Sequence, residues 1–219
     1  MATSTLHADE FAQQILEKAR LNHIAEPANF VARLRVEKEI TPFELALGKN
    51  SVEYRFSNPD QTLILDFEGK TPRLLEKKDG NTASVPPSSY SQKIRNSSIT
   101  YEDIALRFLN WPDPVYTGDE TINLRKAWKL EIPAPDKYSQ YKKIRVWIDQ
   151  ENGALMRMEG YDENGNLLRR FAVLSVQQLG DRWMLKQMRI ESFDPVTKKV
   201  VTRTYLEVTG MITRVPKSR

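Results

Sequence analysis

Residues 143–165 read Lys143-Ile-Arg-Val-Trp-Ile-Asp149, then Gln-Glu-Asn-Gly153, then Ala154-Leu-Met-Arg-Met-Glu-Gly-Tyr161, then Asp162-Glu-Asn-Gly165. Ile144, Val146 and Ile148 recur at period two. So do Ala154, Met156 and Met158, opposite Arg157 and Glu159. That period puts alternate side chains on opposite faces of a strand. Each run ends in an Asn-Gly pair, which supplies the left-handed backbone that a tight connection needs. Strands joined so briefly lie antiparallel. This stretch decides the class: an antiparallel sheet.

Reading outward extends the sheet in both directions. Toward the C-terminus, Phe171 and Val173 share one face of the next strand, and Ala172, Leu174 and Val176 the other. Leu179-Gly-Asp181 turns the chain into a strand with Met184, Met188 and Ile190 on one face. Asp194-Pro-Val-Thr197 turns it again into a Thr-rich strand from Val200 to Val208. Toward the N-terminus, apolar residues at 122, 124, 128, 130 and 132 predict one long strand, with Lys126 as the exception. The meander spans 121–212. Residues 28–78 hold the first strands, with alternation at Phe30/Ala32/Leu34, Phe43/Leu45/Leu47, Val52/Tyr54/Phe56 and Leu63/Leu65, then Arg73 to Lys77. The total is about 10–11 strands.

Two helices are expected. Residues 8–21 place Ala8, Phe11, Ala12, Ile15, Leu16 and Ala19 on one face, with Asp9 and Glu10 in the first turn and Lys18 and Arg20 in the last. Residues 99–110 form a second helix. It is capped by Ser98 or by the box Thr100-Tyr-Glu-Asp103, its apolar face is Tyr101, Ile104, Ala105, Phe108 and Leu109, and Trp111-Pro-Asp-Pro114 stops it. The Ser/Pro-rich segment 79–98 breaks every pattern. So long a connection is a lid, a binding loop, a disordered segment or a plain surface connection.

Composition narrows the chemistry. There is no cysteine among 219 residues, which removes disulfides, thiol nucleophiles and Cys-ligated zinc. His7 and His23 have no partner at metal-ligand spacing, and no Gly-x-Ser-x-Gly elbow or phosphate-cradling Gly-rich loop occurs. The carboxylate pairs Glu102/Asp103 and Asp149/Glu151 read as helix-start and turn residues. The Asp-x-x-Asn-Gly turns lack the further oxygens calcium needs. The expectation is therefore a protein that is not an enzyme and carries no cofactor or metal. Net charge is +4 with pI near 9.2. The charges are interspersed, as on solvated faces. Lys137 to Arg145, with Tyr138 and Tyr141, is the nearest approach to a nucleic-acid stripe; a strand with a wet outer face accounts for it better. No run of about 20 apolar residues exists to span a membrane. Met1-Ala-Thr-Ser-Thr-Leu-His7 lacks the basic start and apolar run of a signal peptide.

Specific runs carry a resemblance. Thr100-Tyr-Glu-Asp-Ile104 with Phe108-Leu-Asn-Trp111 resembles a helix of the outer-membrane lipoprotein-sorting family, the LolA-like group. Tyr141 to Trp147-Ile-Asp149 resembles one of its strands. Gly153 to Arg157, Glu159-Gly-Tyr-Asp162 and Gly165 resemble the run that follows, and Trp183 and Thr204 also fall in place. The resemblance covers nearly all of 1–219 and implies one LolA-like domain. Its fold is mainly β with α: an unclosed half β-barrel, one curved antiparallel sheet with helices over the concave face.

The resemblance further implies an apolar cavity for acyl chains of lipid or lipoprotein. It implies a periplasmic location with the leader already removed, and inner- and outer-membrane components of a sorting pathway as partners. Members of that family latch a lid with a buried arginine. Arg35, Arg55 and Arg125 stand open for that role here, and none is assigned it. The same fold also serves envelope sensors or adaptors that bind a protein on the concave face. The expected cavity lining is Tyr54, Phe56, Leu63, Leu65, Tyr101, Ile104, Phe108, Leu124, Trp128, Val146, Met156, Met158 and Met188. Methionine suits a cavity of variable occupancy, though an ordinary core uses it too. Trp128 and Trp147 line the cavity or sit at its rim. Each buried CH₂ contributes about 0.8 kcal/mol, so a long acyl chain brings on the order of 10 kcal/mol before ordering costs.

Overall fold

Short hairpin connections make sequence neighbours into sheet neighbours, and the chain does this twice. The computed structural model describes residues 5–21, 27–69, 72–135 and 137–212. The first meander is β1 (Ala28–Val36), β2 (Glu39–Leu47), β3 (Ser51–Ser57), β4 (Asp60–Asp66), β5 (Arg73–Lys78) and β6 (Asn81–Ser84). The second is β7 (Val115–Ile122), β8 (Arg125–Pro133), β9 (Lys143–Asp149), β10 (Leu155–Tyr161), β11 (Leu167–Leu179), β12 (Arg182–Phe193) and β13 (Val200–Met211). Pairing of β1 with β13 joins them into one antiparallel sheet of 13 strands, whose outer strands β6 and β7 do not meet. The barrel is open.

Three turns of the second meander begin with an aspartate that caps its own connection. Asp149 Oδ1 accepts from the Glu151 and Asn152 N–H groups, Asp162 Oδ1 from Asn164 and Asn166, and Asp194 Oδ1 from Val196 and Thr197. Gly153 and Gly165 take the positive φ the first two turns require, Lys198 does so in the third, and Gly180 in the turn between β11 and β12. The predicted strand 121–132 is broken. Asn123 (φ 49°) and Leu124 (φ 66°) form a two-residue hairpin turn between β7 and β8. Lys126 is the second residue of β8, exposed beside that turn. Together with β6, this break raises the strand count above the expected 10–11.

One face of the sheet is apolar and holds two clusters. The first is built on Phe30, Ala32, Leu34, Phe43, Phe56 and Leu63; the second on Leu130, Ile132, Ile144, Val146, Ile148 and Met158. The other face carries ion pairs on alternate residues, such as Arg33 and Arg35 with Glu207, Arg55 with Glu44 and Glu53, and Arg203 with Glu191. Helix α1 (Thr5–Leu21) covers the second cluster with Ala12, Ile15, Leu16 and Ala19. It starts earlier than expected, so Asp9 and Glu10 fall beyond its first turn. His23 lies outside the described residues, as do the side chains of His7, Ala8 and Asp9.

The predicted helix 99–110 is two pieces. Helix α2 (Tyr101–Ala105) ends at Leu106 in the left-handed conformation, and a 3₁₀ turn, Arg107–Asn110, follows. The break re-aims the apolar face. Tyr101, Ile104 and Ala105 pack on the first cluster, Phe108, Leu109 and Trp111 on the second.

Candidate functional site

The segment from Val85 to Leu106 lies across the first cluster as a lid. It is no loose connection: Val85, Tyr90, Ile94, Ile99, Ile104 and Ala105 are all buried against the sheet. Between lid and sheet remains a void of about 10 Å³. Leu34, Phe43, Tyr54, Phe56, Leu63 and Leu206 line it from the sheet, and Ile94, Ile99 and Ile104 from the lid. That volume is at the lower limit for one water molecule. The lid isoleucines fill the rest of the space between lid and sheet.

Polar bonds hold the lid at its rim. The Ser98 N–H donates to Thr204 Oγ1 at 2.9 Å, and the two hydroxyls lie 2.8 Å apart. Arg95 donates to the Pro59 carbonyl at 2.7 Å and stacks over Phe56. The Tyr101 hydroxyl donates to Glu76 at 3.0 Å and accepts from Gln61 at 3.1 Å.

The strongest anchor is a buried cluster at the start of α2. Thr100 and Asp103 form the capping box, with the Thr100 N–H donating to Asp103 Oδ2 at 2.7 Å. Asp103 also accepts from the Tyr141 hydroxyl and lies 3.5 Å from Arg169 of β11. Gln140 donates its amide to Thr100 Oγ1 at 2.7 Å and its N–H to Glu102 Oε2 at 2.9 Å. Asp103 and Glu102 are each 4 % exposed or less. Tyr141 fits because β10 carries glycine opposite it: a Cβ on Gly160 would stand 2.3 Å from the Tyr141 ring.

The electrostatics follow from that burial. Burial raises the Glu102 carboxyl above its ordinary value, against the hydrogen bonds of Ser139 and the Gln140 N–H. Its Oε1 has no hydrogen-bond partner among the described residues. Burial, with the adjacent Asp103 charge, pushes the Tyr141 hydroxyl well up. Burial alone pushes Tyr54, at the void, to about 12.

The expected lining residues divide. Tyr54, Phe56, Leu63, Tyr101, Ile104 and Met188 meet at the first cluster. Phe108, Trp128, Val146 and Met158 belong to the second, under α1. Leu65 is fully buried. Two placements are corrected. Leu124 is 98 % exposed, because the hairpin turn carries it off the sheet. Met156 packs with Ile122, Ala127 and Trp147 on the outer face, because a bulge between Leu155 and Arg157 shifts its register.

The three arginines left open as latches are all paired away from the lid. Arg35 binds Glu207, Arg55 binds Glu44 and Glu53, and Arg125 binds Asp149 and Glu151. The arginine that faces the lid is Arg169. Its signal was present: period two puts it on the same face as Phe171, which is an odd place for a charge. Tyr141, read as part of a basic stripe, is 2 % exposed. Glu102 and Asp103, read as helix-start residues, do start α2 and are also the core of the anchor. Much of the "Thr-Tyr-Glu-Asp" run therefore marks the buried cluster, together with Tyr141, and Thr204 anchors the same lid through Ser98.

Among the described residues no three His, Cys, Asp or Glu side chains group as a metal site needs, and no helix is long and apolar enough to cross a membrane. No curated protein matches the sequence. A family model described as "Uncharacterized protein" matches residues 78–215. Among solved structures, a domain provisionally named as an outer membrane lipoprotein-sorting protein, from Vibrio parahaemolyticus, superposes with TM-score 0.75 at 16% identity, over 96% of this chain and 95% of that one. A DUF1329 family protein from Desulfovibrio piger gives 0.66 at 14% identity, over 96% and 95%. A LolA superfamily protein from Nitrosomonas europaea gives 0.63 at 19% identity, over 93% and 94%. The chain belongs to the family whose model spans residues 78–215, and it has the LolA-like fold of the lipoprotein-sorting proteins.

Proposed function

We propose that this chain is a periplasmic carrier that holds acyl chains of a lipid or lipoprotein on the apolar sheet face beneath its lid, without catalysis. One observation carries the reading: the lid fills that face with its own isoleucines, leaving about 10 Å³, while its rim is held by polar bonds. An acyl chain can replace Ile94, Ile99 and Ile104 as the lid swings out, exchanging one apolar filling for another. Burial of roughly 0.8 kcal/mol per CH₂ drives entry. Each rim bond lost to water costs only about 1 kcal/mol net. Partly buried Met184 and Met188 at the floor adapt to guests of different shape.

The test is native mass spectrometry of the freshly purified chain, then uptake of a fluorescent fatty acid. A stoichiometric extractable lipid is expected, with uptake abolished in Met188→Glu and unchanged in Leu124→Glu. A clean mass with no uptake by the wild type sinks the reading and leaves a protein partner as the occupant of the concave face.

A further inference from the structure

Two hairpins turn at the same end of the sheet with apolar side chains in water. Leu124 at the β7–β8 turn is 98 % exposed; Trp183 and Val176 on β11–β12 are 71 % and 55 % exposed. The Asn123 side chain donates to the Val173 carbonyl at 3.3 Å, which ties the first tip to β11 beside Leu174. Pairing of β10 with β11 ends at Arg157/Ala172, and that of β12 with β13 ends at Gln187/Glu207. Residues 173–186 therefore continue as a two-stranded arm past the pairing with both neighbours, lying beside the end of β13, where the Gln177 side chain donates to the Val208 carbonyl at 2.7 Å. Val176 pairs with Leu185 and Gln178 with Trp183, so all four share the arm's outer face. Leu179 and Met184, on its inner face, pack on the first cluster.

Single exposed apolar residues are ordinary, but Leu, Val and Trp exposed on hairpins at one end of a sheet mark a contact surface. The charge around them selects the occupant. Lys126 and Lys186 are exposed beside the tips, and Arg182 lies on the arm. Met211, at the end of β13, stands 3.6 Å from the position a Cβ would take on Gly180. Against these cations stand Asp181 in the turn and Glu151, which Arg125 already engages.

We propose that this end of the sheet docks on the surface of an anionic phospholipid bilayer, with Trp183 and Leu124 entering the interface and the cations facing headgroups. Tryptophan favours that depth, and each basic residue near an anionic surface adds attraction that salt screens.

The test is co-sedimentation of the full chain with vesicles of phosphatidylglycerol and phosphatidylcholine, against phosphatidylcholine alone, at low and high salt. Binding is expected to the anionic vesicles, weakening with salt. Trp183→Ser and Leu124→Glu should each lower it about tenfold at unchanged melting temperature. Quenching of wild-type tryptophan emission by brominated lipid is expected too, and needs no variant. Absence of binding at low salt overturns the proposal, as does binding unaffected by both variants without quenching. A concentration-dependent dimer that Trp183→Ser abolishes, without vesicle binding, assigns the arm to a second copy of the chain instead. Fatty-acid uptake by the lid basin is a separate readout, so either proposal can fail alone.

Discussion

The two apolar clusters on the inner face share one sheet and differ in what covers them. The cluster under α1 is closed by hydrophobic contact: Ala12, Ile15 and Leu16 lie on Leu130, Ile132 and Ile148, all 2 % exposed or less. The cluster under the lid is closed by an irregular segment that buries Val85, Ile94, Ile99 and Ile104 and is in addition tied by side-chain hydrogen bonds, and its floor includes half-buried Tyr54, Met188 and Leu206. Apolar contact cannot be exchanged for water without losing its full transfer free energy. Rim hydrogen bonds can be exchanged for bonds to water at small net cost. On the proposed function, the lid half is the one that opens while the α1 half stays closed.

Three variants break or sharpen that contrast. Leu130→Ala should have the largest effect, a loss of about 4 kcal/mol from cavity formation in the α1 half. Chemical denaturation reads it, and ligand uptake by the folded protein should not change. A change in uptake at preserved fold would merge the two halves. Arg169→Met removes the cation facing Asp103 and leaves a buried carboxylate on α2, a cost of about 3 kcal/mol. Hydrogen exchange should then quicken across residues 85–106 before the sheet responds. Uniform quickening would show that the lid has no separate opening.

Glu102→Gln should have the smallest effect, with the opposite sign. The folded state raises this carboxyl, so the penalty for its charge is absent below the unfolded value near pH 4.3, sets in as pH rises, and is complete above the folded value. The glutamine should stabilise the protein by about 1 kcal/mol at neutral pH and by nothing at low pH. Thermal melts of both proteins across pH check this. A gap independent of pH would remove Glu102 ionisation from the lid's energetics. Asp149 runs the other way. The hydrogen bond from Arg125 holds it below its ordinary value, so its contribution is lost as pH falls.

The period-two runs located most strands because each has one dry and one wet face, and the Asn-Gly pairs and Asp-started turns placed many of the connections. The capping box at Thr100 also read correctly, since its bonds are local. The errors came where one residue changed the backbone without a glycine to announce it. Leu106 splits a helix, and Asn123-Leu124 splits a strand, each through a left-handed conformation that side chains other than glycine rarely adopt. The first break sent Phe108 to the α1 half, and the second left Leu124 in water. Arg169 was legible as a charge on the inner face, but its partner, 66 positions earlier in the chain, was not.

Composition and alternation by themselves determined an antiparallel, cysteine-free sheet with one apolar face and two covering segments, because local periodicity fixes which side of a strand each residue shows. Only the tertiary structure decided which segment closes which half, that Ile94, Ile99 and Ile104 fill the space beneath their own segment, and that Glu102, Asp103, Tyr141 and Arg169 meet. Those outcomes depend on contacts between strands far apart in sequence, and no local pattern encodes the distance between side chains that only the folded sheet brings together.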